Sequence, residues 1–382
     1  MKDFNFKIPQ TVEFGVGSLN KLKTILEENN SKNVFLISDR GLEKIGVVKK
    51  VLDILDNAGI TVSSYLDVVP NPTVNNVNDC TKLYKDSGAT VIIALGGGSP
   101  IDIAKAVGIL STYGGQITQY EGAHIVPGPI TPIIAIPTTA GTGSEVTASA
   151  VINDEERNYK FSVFSYNNIP KYAILDPELI MTLPEFIAAP TGLDALIHAI
   201  EAYLSTAATP FSDAMAEKAM ELIGANLRQF VANRSNEDAA CAMMLGSNFA
   251  GIAFAWARLG NVHAMSHPVS AFFHVPHGTA NSILLPTIME YNALADNGRY
   301  EKIYNYIKSS SGKVENFVPE MLISEIKKLN KDLKIPASLS VVGVTKDKIE
   351  VMAQDAMKSG NVLVNPRKTT LQDMIALFEK AM

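Results

Sequence analysis

Five of the six histidines in this 382-residue chain, His198, His263, His267, His274 and His277, lie between residues 198 and 277. Asp194 and His198 are four apart in Gly192-Leu193-Asp194-Ala195-Leu196-Ile197-His198-Ala199, a spacing that puts both side chains on one helix face. His263 and His267 repeat that spacing in a stretch with hardly any charge, and Pro276-His277-Gly278 sets another imidazole at a turn. Neutral imidazoles with a carboxylate suit a borderline divalent ion such as Fe²⁺ or Zn²⁺ better than Ca²⁺ or Mg²⁺. One buried histidine is an ordinary core residue. A carboxylate and several imidazoles crowded into apolar helices all need partners, and one metal ion would serve them together. Asp194, His198 and His263 are the clearest ligands; spacing leaves the fourth open among His267, His274 and His277.

A second chemistry is written into the first half. Gly96-Gly97-Gly98-Ser99-Pro100-Ile101-Asp102 lies between an expected strand and an expected helix. Glycines let backbone approach a ligand closely, and the helix N-terminus beyond them favours a phosphate. The plainer reading is a tight turn capped by Ser99. Pro137-Thr138-Thr139-Ala140-Gly141-Thr142-Gly143-Ser144-Glu145 also follows a strand, with four hydroxyls able to meet phosphate or ribose oxygens or to cap local backbone. Neither loop is a standard nucleotide signature. There is no G-x-x-x-x-G-K-[ST], and Gly15-Val16-Gly17 lacks the third glycine of the dinucleotide fingerprint. Asp39, at the end of a central strand, can accept hydrogen bonds from an adenosine ribose and repel a 2′-phosphate; the alternative is a helix cap.

The elements that must position these residues fall into two kinds. Val34–Ser38, Thr61–Leu66, Val91–Leu95, Pro132–Ile136 and Tyr172–Leu175 read as strands, with helices expected over Ile45–Ala58, Asn75–Asp86 and Ile101–Leu110. Strand–helix alternation predicts a parallel, Rossmann-like sheet covered on both faces. Phe4–Phe14, with Pro9 in its middle, reads as a strand pair at an edge. From Pro184 onward Ala-, Leu- and Met-rich helical runs dominate. We therefore expect an α/β domain over 1–182, which would hold a dinucleotide, and an all-α, metal-binding domain over 183–382.

Composition narrows the function classes. With 33 basic and 39 acidic residues the net charge is −6, against the basic excess of a nucleic-acid surface. Cys80 and Cys241 are too few for a disulfide framework or a thiolate metal site. The opening residues show no secretory signal, and Ala239–Pro276, the only membrane candidate, is interrupted by polar groups. A cytoplasmic protein without nucleic-acid or membrane partners is expected.

Taken together, these segments resemble the iron-containing (group III) alcohol dehydrogenases, of the lactaldehyde reductase, 1,3-propanediol dehydrogenase and butanol dehydrogenase type, a family related in fold to dehydroquinate synthase. The resemblance spans essentially the whole length. It rests on Gly96 to Lys105, Pro137 to Glu145, Thr191 to Glu201, the stretch from His263 to Gly278, and Asn71-Pro72-Thr73. It implies metal ligation by Asp194, His198, His263 and His277, with His267 near the nicotinamide and substrate. It also implies that Gly97, Gly98 and Ser99 hold the pyrophosphate of NAD(H), with Asp102 in the same motif. Thr138, Thr139 and Thr142 would surround the adenine and adjoining groups. Lys160 would lie near the nicotinamide ribose, Asn71 beside the cofactor and Leu179 packed near it, and Asp39 would favour NAD over NADP. After the second histidine of the pair many members read His-x-Leu-Gly; this chain has His267-Pro268-Val269-Ser270, beside the implied substrate pocket. His274 has no implied role.

The reaction expected is reversible hydride transfer between a short primary alcohol, diol or aldehyde and NAD(H), with Fe²⁺ (or Zn²⁺) polarising the substrate oxygen and His267 relaying a proton. A homodimer or larger homo-oligomer is expected. The competing readings are a polyol dehydrogenase, a dehydroquinate-synthase-like cyclase and, from a different class, a metal-dependent hydrolase or a noncatalytic metal-binding protein. The cyclase would need more basic residues than the lone Arg258 near the metal, and the hydrolase would not need two dinucleotide-type loops.

Overall fold

The computed structural model describes Phe4 to Met382 except Asn5, Lys7, Pro9, Asn158 and Lys313. The chain divides into two compact units, one running from residue 7 to Thr182, the other from Leu183 to Met382 and including the N-terminal Phe4 and Phe6.

The first unit is built on β1 (Thr11–Phe14), β2 (Asn33–Ile37), β3 (Thr61–Tyr65), β4 (Val91–Gly96), β6 (Ile133–Pro137) and β9 (Tyr172–Leu175), a six-stranded sheet ordered β1-β9-β6-β4-β2-β3. Every pairing in it is parallel. The apolar runs split between two cores, as period-2 geometry requires. Phe35, Ile37, Ile92 and Ala94 face α4 (Val74–Ser87) and α5 (Gly98–Tyr113). Val34, Leu36, Val91, Ile93 and Leu95 face α1 (Lys21–Glu28) and α3 (Val47–Asn57). Because β3 lies outside β2 while β4 lies on its other flank, the order reverses between β2 and β4, where open α/β sheets bind ligands.

Three sequence expectations change here. The helix expected over Ile45–Ala58 is two pieces, α2 (Arg40–Lys44) and α3, separated at Gly46, whose φ of 83° is left-handed; Ile45 is exposed. In place of a strand pair over Phe4–Phe14, the described residues hold one strand, β1, at the sheet edge and parallel to β9; Pro9 lies outside the described residues. A second sheet, β5 (Gly122–Ala123), β8 (Tyr159–Phe164) and β7 (Ser149–Asp154), was not expected. Its longer strands bury alternate residues, Ala150 and Ile152 on β7 and Phe161 and Val163 on β8, and so lack the continuous apolar runs that marked β2, β4 and β6.

The second unit has helices and no strand among its described residues: α6 (Glu185–Leu204), α7 (Pro210–Ala232), α8 (Glu237–Ala257), α9 (Asn261–Phe273), α10 (His277–Asn292), α11 (Arg299–Ile307), α12 (Pro319–Asp332), α13 (Ile349–Ala356) and α14 (Leu371–Ala381). Phe6 stacks on Phe211 and tilts onto Trp256 of this unit. α8 is long and apolar enough to cross a membrane, yet 61% of its most apolar window is buried inside the protein. It packs as a core helix against α6 and α7. Two glycines set the close packing. A Cβ on Gly192 would fall 2.5 Å from Leu227, and one on Gly278 would fall 2.4 Å from the Pro190 carbonyl oxygen, so α10 begins directly against α6.

Candidate metal centre and cofactor loops

The histidines converge on one carboxylate oxygen in the helical unit. Asp194 and His198 project from α6, His263 from the first turn of α9, and His277 from the first residue of α10. Oδ1 of Asp194 is 3.6 Å from His263 Nε2 and 4.0 Å from the Nε2 atoms of both His198 and His277. Ligands of a tetrahedral ion with bonds of ~2.0–2.2 Å lie roughly 3.3–3.6 Å apart, so the distances from Asp194 suit a metal's ligands after a small contraction. Asp194, His263 and His277 form the tightest group, their ligand atoms all within 4.8 Å of one another. The His198 ring lies between Phe254 and His263, with centroids 4.4 and 4.6 Å away.

The tautomers are set by neighbours. Nδ1 of His263 is 2.6 Å from Oε2 of Glu201, an acceptor only, so Nδ1 carries a hydrogen and Nε2 faces Asp194. The Ser266 hydroxyl donates to the His263 carbonyl and so presents a lone pair to His277 Nδ1 at 3.5 Å. With neutral imidazoles, Asp194 Oδ1, His263 Nε2 and His277 Nε2 all meet one amide nitrogen, Asn281 Nδ2, at 2.6, 3.1 and 3.1 Å. An amide has two hydrogens for these three acceptors, and Asn281 Oδ1 is itself buried without a partner. With the imidazoles neutral, as metal ligation requires, the three acceptors around Asn281 outnumber its two hydrogens, and a divalent cation would use that capacity.

Without an ion, a proton on His263 takes up part of that capacity. Burial would raise the Asp194 carboxyl, but His198, His263 and His277 outweigh it and hold the group far below the usual carboxylate range. Burial would lower the His263 imidazole; Asp194 and Glu201 overcome that and push it up to about 9. His267, one turn beyond His263, stacks on His277 at 5.5 Å and meets the His263 ring edge-on. His274 ends α9 in a left-handed conformation, and His124 packs against Phe164 and Tyr166 in the other unit.

In the α/β unit the two loops lie together beyond β4 and β6. Thr138 N–H donates to the Gly96 carbonyl. A Cβ on Gly97 would sit 3.4 Å from Thr139 Oγ1, and one on Gly98 would sit 3.1 Å from Thr142 Cγ2. Part of the glycine requirement is thus contact with the hydroxyl loop. Gly97, rather than Ser99, is the N-cap of α5, and no described side chain caps that end. Asp102 does not face open solvent: its oxygens accept from Ser144 Oγ at 2.6 Å and Val151 N at 3.1 Å, bracing the two loops. Asp39 caps α2 through Oδ1, which accepts from Leu42 N, leaving Oδ2 outside that bond. Asn71, in a left-handed conformation, accepts from Lys160 Nζ at 2.7 Å, so two residues distant in sequence form one polar group. Leu179 is 4% exposed and belongs to the core beneath β4 and β9, so its side chain is spent on packing.

Sequence reasoning did not single out Glu201, Ser266 or Asn281. Asn281 sits one helical turn after His277, and Glu201 three residues after His198, so both share helix faces with proposed ligands.

Comparison with known proteins places this geometry. Residues 9–177 match the family model "Iron-containing alcohol dehydrogenase", and residues 188–382 match "Fe-containing alcohol dehydrogenase family, C-terminal". The chain belongs to the iron-containing alcohol dehydrogenases. It is 39% identical to lactaldehyde reductase of Escherichia coli (strain K12), over 97% of this chain and 98% of that protein. It is 35% identical to NAD-dependent methanol dehydrogenase of Bacillus methanolicus, over 99% and 100%. A crystal structure of 1,3-propanediol oxidoreductase superposes with a TM-score of 0.96 at 38% identity, each chain covered fully. The family assignment makes this an oxidoreductase of alcohols and aldehydes, and the metal-type cluster and parallel-sheet unit are the parts such chemistry needs.

Proposed function

We propose that this enzyme transfers a hydride reversibly between a short primary alcohol or diol, or the corresponding aldehyde, and NAD(H), with Fe²⁺ or a related divalent ion. The convergence of three imidazole Nε2 atoms on Asp194 Oδ1 carries this reading. When bound, the ion supplies Lewis-acid polarisation of the substrate oxygen and the nicotinamide supplies the hydride chemistry.

The chain's own residues do the rest. Asp194, His198, His263 and His277 hold the ion. A ring nitrogen of His267 holds the hydroxyl proton of the alcohol and passes it to solvent. Gly97, Gly98 and Ser99 receive the pyrophosphate at the N-terminus of α5, where amides and the helix dipole favour an anion. Thr138, Thr139 and Thr142 line the adenine side, Asp39 accepts from the adenosine ribose, and Asn71 with Lys160 holds the nicotinamide ribose. Asp102 keeps the two loops in register. We place the enzyme in the cytoplasm, as a homodimer or larger homo-oligomer.

The test is anaerobic NADH oxidation with a panel of short aldehydes, using metal-free protein reloaded with Fe²⁺ or Zn²⁺. Turnover with at least one aldehyde, lost on chelation, is expected; no turnover with any of them would refute the assignment. A pH experiment follows from the raised His263 group. Below about pH 9 that imidazole keeps a proton in the metal-free protein, and metal must displace it. Zn²⁺ affinity should therefore climb between pH 7 and 9, by about tenfold per pH unit for each proton released. An affinity flat across that range would contradict the protonation scheme.

A further inference from the structure

We infer that Glu201 is a positioning residue of the metal centre, fixing the tautomer and orientation of His263 and so setting how tightly the site holds its ion. The inference rests on the metal reading above.

Glu201 lies on α6, seven residues beyond Asp194 and three beyond His198, and is buried. Its two oxygens do different work. Oε1 accepts from the backbone N–H of Val262 at 2.7 Å, capping the first turn of α9. Oε2 accepts from Nδ1 of His263 at 2.6 Å, with the His263 backbone N–H at 3.4 Å. One carboxylate thus joins the helix bearing Asp194 and His198 to the helix bearing His263. The approach depends on the glycine before α9, because a Cβ on Gly260 would fall 2.9 Å from Glu201 Oε1.

A helix cap alone needs one acceptor, and a glutamine would supply it. The contact with His263 needs a second group that only accepts, because a donor there would move the ring hydrogen to Nε2, the atom turned toward Asp194. Glutamine cannot meet both demands. If its oxygen takes the Val262 N–H, its NH₂ confronts Nδ1; if it is flipped, its NH₂ confronts the Val262 N–H. Outer carboxylates of this kind orient ligating imidazoles and raise their basicity, and their loss typically weakens metal binding ~10–100-fold.

The experiment compares full-length wild type, Glu201→Gln and Glu201→Asp. The readouts are Zn²⁺ Kd by chelator competition, the visible absorption of the Co²⁺-loaded proteins, thermal unfolding and NADH binding by fluorescence. Glu201→Gln is expected to raise the Zn²⁺ Kd ~10–100-fold and to shift the Co²⁺ bands, with NADH affinity unchanged. Glu201→Asp, which still only accepts, should hold Zn²⁺ at least several-fold more tightly than the Gln variant. A Gln variant with wild-type Kd and Co²⁺ spectrum overturns the proposal, as do equal losses in both variants, which would reduce Glu201 to packing. Wild type that binds neither ion is a separate failure, that of the metal reading itself.

Discussion

Replacing His263 with Ala is expected to lower kcat/KM for alcohol oxidation by on the order of 10³-fold or more and to abolish metal binding in the same step. Both follow from one atom. Nε2 of His263 is the imidazole nitrogen nearest Asp194 Oδ1, at 3.6 Å, and without it the tightest ligand group loses a third of its donors. A loss of several kcal/mol of transition-state stabilisation, as expected when Lewis-acid assistance is removed, corresponds to that rate factor. The variant also leaves two buried carboxylates, Asp194 and Glu201, without the imidazole between them, which should lower stability by about 3 kcal/mol. Elemental analysis, an NADH-coupled assay and thermal unfolding on one preparation check all three. Turnover that survives in metal-free His263→Ala would contradict the mechanism, while NADH binding to the other unit should persist.

The second large effect is expected far from the metal, at Lys105. Its side chain is fully buried in α5, donating to Ser144 Oγ at 3.1 Å, Thr147 Oγ1 at 3.2 Å and the Ser149 carbonyl at 2.7 Å, with Asp102 at 3.9 Å. Burial pushes the ammonium down to about 8, opposed by Asp102 and Glu145. Lys105→Met takes from Asp102 its larger compensating charge, leaving the weaker influence of Lys160, and takes from the Ser149 carbonyl this donor. It should cost about 3–5 kcal/mol of stability and weaken NADH binding, because the same network holds the hydroxyl loop against Gly97 and Gly98. Adding Asp102→Asn should recover part of the stability, since the under-compensated charge is then gone. Unchanged thermal unfolding of Lys105→Met would show that the network carries little.

How much of this the sequence revealed depends on the range of the interaction. Val34–Ser38, Val91–Leu95 and Pro132–Ile136 were readable because strands buried on both faces are continuous apolar runs. The pairing of Asp194 with His198 was readable because helical spacing is local. The β7–β8 ribbon was missed because its strands bury only alternate residues and so show no continuous apolar run. Glu201 was missed as a partner of His263 because sixty-two residues separate them and only the packing of α6 on α9 brings them together. The three glycines were read for a ligand, yet Gly97 and Gly98 also answer to Thr139 and Thr142, a tertiary contact that spacing does not encode. Ser99 as a cap was a sound local reading overtaken by a helix whose cap, Gly97, lies two residues earlier.

The edge strand β1 has a consequence for biosynthesis. Its partner along Thr11–Phe14 is Tyr172–Leu175, and Gln10 reaches the carbonyls of Glu145 and Pro170. The first strand to leave the ribosome therefore waits for nearly the last element of its unit. At ~5–20 residues per second that delay is on the order of ten seconds or more, with the backbone edge of β1 unpaired in the nascent chain. Translation pauses before residue 175, or truncation just short of β9, should thus raise the aggregated fraction, whereas pauses after it should not.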